Sequence, residues 1–141
     1  MKEDKILLGM KKRGWGKGKW NGFGGKVEEG ETIIEAAIRE MKEESGLEIN
    51  DLEEKGTVIF QYLDTRKLLE VHIFNVLKYS GEIMESEEML PQWFDIKEIP
   101  FDNMWADDIY WMPLFLKGNK FKGEFVFENN DKLSSYKIET I

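Results

Sequence analysis

The chain has 141 residues, a length at which roughly two-thirds of the unfolded chain's surface can be buried, so we expect a single domain over residues 1–141. The 20 Lys and Arg residues are outnumbered by 28 Asp and Glu residues, and the net charge of −8 disfavours binding of a nucleic-acid polymer. The absence of cysteine and the single histidine exclude disulfides, thiolate metal sites and paired-histidine metal sites, which leaves oxygen ligands for any metal. No apolar run approaches a membrane span and no secretory signal is recognisable, so we expect a cytoplasmic protein, with the nucleus or mitochondrion as alternatives.

The first predicted elements are a strand, a bent segment and a helix. An apolar run over residues 5–10 is typical of a strand, and residues 22–27 are predicted to be bent and extended. A helix is predicted over residues 32–45, because Thr32 forms a capping box with the glutamate three residues later. Gly46 stands where a left-handed C-cap belongs.

The second half of the chain predicts mostly strands. Residues 55–63 and 68–79 are rich in β-branched and aromatic side chains and are separated by a polar turn, which predicts an antiparallel pair with His72 as a packing residue. Further elements are a strand at 92–95, a helix at 107–116, and a closing hairpin at 121–128 and 133–139. Mixed strands with two helices predict an α/β or α+β sandwich.

Glycine and charge are distributed unevenly near the start of the chain. Eight of the 13 glycines lie between positions 9 and 30, and residues 11–19 are also basic. Eleven acidic residues follow between positions 28 and 54. A glycine-rich basic loop beside an acidic helix predicts a site for a phosphate and its metal ion.

Three carboxylates of the predicted helix share one side. Glu40, Glu43 and Glu44 are spaced i, i+3 and i+4, and like charges at this spacing destabilise an isolated helix by about a few tenths of a kcal/mol each. A solvated acidic face is one interpretation. The other is a site for Mg²⁺, which would convert the repulsion into coordination.

Residues 25–47 resemble the Nudix family at every position of its signature. The match consists of a glycine, five residues, Glu31, seven residues, Arg39 and Glu40, an apolar residue, one residue, Glu43 and Glu44, one residue, a glycine and an aliphatic residue. The resemblance implies an α/β/α sandwich in which this segment forms a loop, a helix and a loop. It also implies Mg²⁺-dependent hydrolysis of a nucleoside diphosphate linked to another group, with Mn²⁺ as a substitute.

The resemblance assigns roles within and near this segment. Glu40, Glu43 and Glu44 become catalytic metal ligands, with Glu44 also orienting or deprotonating the attacking water. Gly24 would add its backbone carbonyl, and Glu88 matches an acidic residue that reaches the metal from outside the segment. The remaining assignment is a supporting pair, Glu31 and Arg39, for which an ordinary surface ion pair is the alternative.

Residues 11–26, 100–113 and 120–125 resemble the animal-type family members that hydrolyse oxidised purine nucleoside triphosphates. The implied reaction converts 8-oxo-dGTP or 2-hydroxy-dATP to the monophosphate and pyrophosphate, which keeps mutagenic nucleotides out of DNA. The ranking of these substrates, the phosphorus attacked and the number of metal ions stay open.

The same resemblance places residues around the purine. It implies that Asn21 hydrogen-bonds the base, that Trp105 stacks on it, and that Asp107 and Asp108 read its edge with one carboxyl protonated. The alternative is a purely structural role for the two acids, because acidic side chains are favoured in the first turn of a helix. The other implied substrate contacts are Lys11, Phe23, Gly24, Gly25, Lys26, Phe60 and Ala106. Further pocket-lining candidates, which could equally be plain core, are Tyr62, Leu69, Met89 and Trp111.

The chain also departs from this pattern. Residues that differ from those expected in these relatives are Trp15, Tyr62, Leu69 and Ala106. The relatives have a strand before the one at residues 5–10, for which this chain has no residues. The interpretations are an N-terminally shortened sequence, a sheet that tolerates the missing strand, or another chain that fills the slot. An unfilled slot predicts lower stability and weak activity. We expect a monomer, with an edge-mediated dimer as the alternative. Rival functions are hydrolysis of another nucleoside diphosphate derivative, such as ADP-ribose or a capped RNA end, and a catalytically silent nucleotide-binding module.

Overall fold

The computed structural model describes residues 4–24, 27–129 and 132–141. The chain divides into two compact units, the first comprising Met1–Leu52 and Val76–Met104, the second Glu53–Asn75 and Trp105–Ile141. Strands and helices are mixed in the described residues, as the predicted α+β class requires. None of the helices in these ranges is long and apolar enough to cross a membrane.

The first unit contains a three-stranded antiparallel sheet. Its strands are β1 (Lys5–Lys11), β2 (Trp20–Asn21) and β5 (Met89–Asp95), in the order β2-β1-β5. The apolar residues of β1 alternate into the interior, where Ile6 and Leu8 are buried. The predicted strand at 5–10 is confirmed, whereas β2 is too short to leave a periodic pattern in the sequence.

Helix α1 (Ile33–Ser45) begins and ends where the sequence predicts. The Thr32 hydroxyl accepts the Glu35 N–H at 3.1 Å, and the Glu35 carboxylate accepts the Thr32 N–H at 2.9 Å. Gly46 ends the helix with φ 83° and donates its N–H to the Lys42 carbonyl. These caps fix the ends of the helix that carries the predicted catalytic glutamates, and α1 packs against β5.

A second sheet has four strands, which are β3 (Glu48–Tyr62), β4 (Lys67–Ser80), β6 (Phe121–Asn129) and β7 (Lys132–Thr140). They lie in the order β4-β3-β6-β7. A four-residue turn joins β3 to β4, as predicted, and β6 runs parallel to β3 and antiparallel to β7. On β4, His72 is partly buried with Nδ1 2.6 Å from Glu54 Oε1, which agrees with its prediction as a packing residue.

The second unit is built around a hydrophobic cluster of mainly aromatic residues. Its buried members are Val58, Tyr62, Phe121, Phe125 and Phe127. Helix α2 (Asp108–Leu116) packs against β6, and its internal Pro113 removes one backbone donor from the last turn. Gly56 allows close packing on β6, because a Cβ there would lie 2.5 Å from the ring of Phe121.

Candidate active site

Glu44 is the most perturbed of the predicted metal ligands. The side chain is buried near the end of α1, and its Oε1 accepts the N–H of Gly24 at 2.9 Å. Burial raises the pKa of this carboxyl to about 7; repulsion from Glu40 and Glu88 adds to the rise, while the Gly24 hydrogen bond and Lys11 oppose it. A carboxyl with a pKa near neutrality suits a general base.

Arg39 connects the acidic residues along α1. Its Nε lies 2.8 Å from Glu31 Oε2 and its Nη2 lies 3.1 Å from Glu31 Oε1, a two-point contact. Its Nη1 donates to Glu40 Oε1 at 2.7 Å and to Glu43 Oε2 at 3.2 Å. The hydrogen bond from Arg39 lowers the pKa of Glu31. Because Arg39, Glu31 and Glu40 are all largely shielded, this network differs from an isolated exposed ion pair.

The carboxylate side chains of this region are of the ligand type that binds Mg²⁺. Glu40, Glu43 and Glu44 provide carboxylate oxygens, which are the ligands Mg²⁺ prefers, and the charges of Glu40 and Glu88 add to the rise that burial causes in the pKa of Glu44. In the described part of the chain, however, no three potential ligands approach closely enough to hold a metal ion. Arg39 engages Glu40 and Glu43 in this arrangement, so a bound ion would have to draw these carboxylates away from the guanidinium. The ligand set therefore stays a prediction.

Glu88 lies just before β5 and contacts two basic residues. Lys11 Nζ is 3.3 Å from Glu88 Oε2, and Arg13 Nε is 2.8 Å from Glu88 Oε1. The hydrogen bonds from Arg13 and Lys11 lower the pKa of Glu88. Since both Glu88 and Lys11 influence the pKa of Glu44, the first unit brings together three residues predicted from distant parts of the sequence. The contact with Arg13 was not predicted.

The remaining predicted residues of the first unit lie in or after β2. Asn21 donates from Nδ2 to the Lys19 carbonyl at 3.2 Å, so one amide hydrogen is engaged within the loop. Phe23 packs over β1, where a Cβ on Gly9 would approach its ring to 2.7 Å. Residues 22–24 have no regular structure, and the predicted contacts Gly25 and Lys26 lie outside the described residues.

Asp107 and Asp108 are buried at the start of α2 in the second unit. Only 4% of Asp107 and 6% of Asp108 is exposed. Asp107 precedes the helix without accepting a side-chain cap bond, and its Oδ2 instead accepts the indole N–H of Trp111 at 2.8 Å. Asp107 therefore makes no cap bond, whereas Asp108 lies in the first turn of α2, where the alternative interpretation places an acid. Burial raises the pKa of both carboxyls, and for Asp108 the neighbouring Asp107 adds to the rise.

Aromatic residues predicted to contact the base lie in the same unit as this acidic pair. Phe60 and Tyr62 lie on β3 and pack against Phe127, while Trp105 and Ala106 directly precede the pair. The sequence predicted Trp111 only as a lining residue. Its four-residue spacing from Asp107 was the available signal for a hydrogen bond across one helical turn. The lining candidate Leu69 is 40% exposed on β4.

Comparison with known proteins agrees with this picture. The NUDIX domain family model matches residues 1–115. An oxidized purine nucleoside triphosphate hydrolase of Danio rerio is 53% identical over 97% of this chain and 88% of the relative, and that of Mus musculus is 48% identical over 100% and 90%. The crystal structure of a MutT protein from Bacillus halodurans has a TM-score of 0.83 and 29% identity, covering 97% of this chain and 91% of that chain.

Proposed function

Because the chain belongs to the Nudix family, we propose that it hydrolyses oxidised purine nucleoside triphosphates of the 8-oxo-dGTP and 2-hydroxy-dATP type. The products are the monophosphate and pyrophosphate, and the reaction removes mutagenic precursors from the nucleotide pool. Support comes from the two vertebrate relatives with that activity in their names, each aligned over nearly the whole length of both chains. The observation that carries the proposal is the buried Glu44, which accepts the Gly24 N–H at 2.9 Å and whose pKa is raised to about 7, mainly by burial.

In the proposed reaction, residues of the first unit bind the phosphates and the metal ion and activate the attacking water. Glu40, Glu43, Glu44 and Glu88 and the Gly24 carbonyl would hold Mg²⁺, for which Mn²⁺ is a substitute. When bound, the metal neutralises phosphate oxygens and lowers the pKa of coordinated water. Glu44 orients the attacking water and accepts its proton, a role favoured by its raised pKa.

Arg39 and Glu31 act as supports in this scheme. Arg39 neutralises Glu40 and Glu43 while the metal is absent, and its two-point contact with Glu31 anchors the guanidinium. Lys11 and the loop residues Phe23, Gly25 and Lys26 would contact the substrate near its phosphates. A basic loop with an acidic helix provides both charges that a metal-bound triphosphate needs.

For base recognition, we propose that Asn21 hydrogen-bonds the purine. Trp105 stacks on the purine, with Phe60 and Ala106 as further contacts, and Asp107 and Asp108 read its edge. One protonated and one ionised carboxyl provide a donor beside an acceptor, which complements a carbonyl next to a ring N–H. The two buried carboxyls with raised pKa values support this assignment.

We further propose that the chain acts as one Nudix domain, because the family match runs through both compact units. The substrate is a small nucleotide, and the protein would work as a cytoplasmic monomer. Sedimentation at micromolar concentration tests the oligomeric state.

The experiment that tests the function is product analysis with a matched pair of variants. Purified protein is incubated with Mg²⁺ and 8-oxo-dGTP, 2-hydroxy-dATP or ADP-ribose, and products are separated by ion exchange. We expect monophosphate and pyrophosphate from the two oxidised nucleotides. Glu44→Ala should lower kcat by about a hundredfold or more, whereas Glu29→Ala, at an exposed position of the same acidic segment, should have no effect. Turnover of ADP-ribose alone, or nucleotide binding without turnover, would contradict the proposal.

A further inference from the structure

A cavity of about 310 Å³ opens at the surface of the first unit, and the proposed reaction uses none of its residues. Ligand pockets usually measure about 300–1,000 Å³, so this one suits a group of side-chain size rather than a whole nucleotide. The residues that line it are Leu47, Tyr79, Gly81, Glu82, Ile83 and Trp93.

Two aromatic side chains line this cavity. The ring centroids of Tyr79 and Trp93 are 6.3 Å apart, and the ring planes are tilted by 38°. Rings in this arrangement do not cover each other's faces, so aromatic surface stays available to a ligand. The faces of Tyr and Trp rings attract cations, and a planar guanidinium can lie flat on them.

The charges around the cavity also favour a cation. Glu82 brings a carboxylate at an exposed position and has no ion-pair partner within the described part of the chain, and none of the lining residues is basic. Leu47 directly follows Gly46, the C-cap of α1, where the helix dipole places partial negative charge. The carbonyl oxygen of Gly46 is also close to the cavity, since a Cβ on Gly81 would lie 3.4 Å from it.

Exposed apolar side chains continue from the cavity onto the surrounding surface. Ile83 is exposed at the cavity, the next residue, Met84, is 65% exposed, and the exposed Leu77 lies two residues before Tyr79 on the same face of β4. A small cation in the cavity would leave these side chains in water, whereas a protein partner would cover them. Arginine is enriched among the anchor residues of protein interfaces, and the net charge of −8 favours a basic partner.

We propose that this cavity is a docking site for an arginine side chain of a partner protein, carried in a segment with apolar neighbours. The guanidinium would lie against Tyr79 and Trp93 and donate two hydrogen bonds to the Glu82 carboxylate. Its aliphatic stem would pack on Leu47 and Ile83. A lysine side chain lacks the planar group and the paired donors, so arginine is the favoured anchor. The inference goes beyond the proposed function and does not depend on it.

The test titrates the whole protein with three capped tripeptides, in which arginine, lysine or citrulline stands between two leucines. Citrulline keeps the shape of arginine without its charge. Binding is followed by NMR through the indole N–H signal of Trp93 and the methyl signals of Leu47 and Ile83. We expect the arginine peptide to bind with a Kd of about 1 mM or tighter, about threefold or more tighter than the lysine peptide and about tenfold or more tighter than the citrulline peptide.

Variants of the cavity locate the binding site. Glu82→Gln removes the carboxylate charge and Tyr79→Leu removes an aromatic face, so each should weaken binding of the arginine peptide about fivefold or more. Tyr79→Phe keeps a ring and should bind like wild type. The matched control Glu98→Gln removes the same charge from an exposed position outside the cavity, and it should change the Kd by less than about twofold.

Several results would overturn the inference. They are an arginine peptide that binds no more tightly than the lysine or citrulline peptide, a Glu82→Gln variant that binds like wild type, and signals that shift across the acidic surface instead of at the cavity. Shifts that depend on protein concentration alone would assign the cavity to a second copy of the chain and would also overturn it. If Tyr79→Leu does not fold, the exposed Glu82→Gln and the peptide comparison on the wild type decide. No nucleotide enters the experiment, so its result is separate from that of the hydrolysis assay.

Discussion

The buried charge of Glu44 should destabilise the metal-free protein, and Glu44→Gln should remove that cost. Gln keeps the shape and retains an oxygen for the Gly24 N–H bond. Burial is the main cause of the rise in the pKa of Glu44 from 4.5 to about 7, which corresponds to about 3 kcal/mol; we expect about 2 kcal/mol because the side chain keeps some contact with solvent. Since the folded pKa lies above the unfolded one, the cost is absent below about pH 4.5, grows as pH rises, and is complete above about pH 7.

Urea denaturation with EDTA measures this difference. At about pH 8 the free energy of unfolding of Glu44→Gln should exceed that of wild type by about 2 kcal/mol, and at about pH 5 by about 0.5 kcal/mol. The exposed Glu43 provides a control on the same helix, and Glu43→Gln should change the free energy by less than about 0.5 kcal/mol. Added Mg²⁺ should stabilise wild type more than Glu44→Gln. A variant less stable than wild type at the higher pH, or a pH-independent difference, would refute the reasoning.

Three further predictions concern Arg39 and the two capping residues of helix α1. Arg39→Lys cannot reproduce the two-point contact with Glu31, so the Mg²⁺ concentration for half-maximal activity should rise about tenfold while circular dichroism stays unchanged; an unaltered Mg²⁺ titration would contradict this. Gly46→Ala should lower the free energy of unfolding by about 1–2 kcal/mol in urea, because φ is 83° and the new Cβ would lie 3.1 Å from the Glu82 carbonyl; wild-type stability would count against it. Thr32→Ala should cost about 1 kcal/mol through loss of the capping box, and Thr32→Ser should retain most of it in the same assay.

The helix and most strands could be predicted because their signals are local. The capping box and the glycine C-cap of α1 are each read within four residues, and the structure places the helix at Ile33–Ser45. Strand β3 begins at Glu48, seven residues before the prediction, because its first part is polar and partly exposed and lacks the apolar pattern. Strand β2 has only two residues, too few for any period.

The site was predictable in residue type but not in contacts. Spacing alone placed Glu40, Glu43 and Glu44 on one side of a helix. It could not show that Arg39 bridges two of them, because that depends on side-chain conformations. The approach of Glu88 to Lys11 joins residues 77 positions apart and depends on β1 pairing with β5. The raised pKa values of Glu44 and Asp108 are likewise caused mainly by burial, which sequence patterns indicate only weakly.

The most direct test of the account is the ratio of kcat/KM for 8-oxo-dGTP to that for dGTP, measured side by side with Mg²⁺. The account predicts a ratio of about ten or more, because a site that hydrogen-bonds a specific base edge rejects an edge that leaves its polar groups unpaired. Asp108→Asn should compress this ratio while leaving the Mg²⁺ dependence unchanged. Equal kcat/KM values for the two nucleotides in the wild type would contradict the central claim.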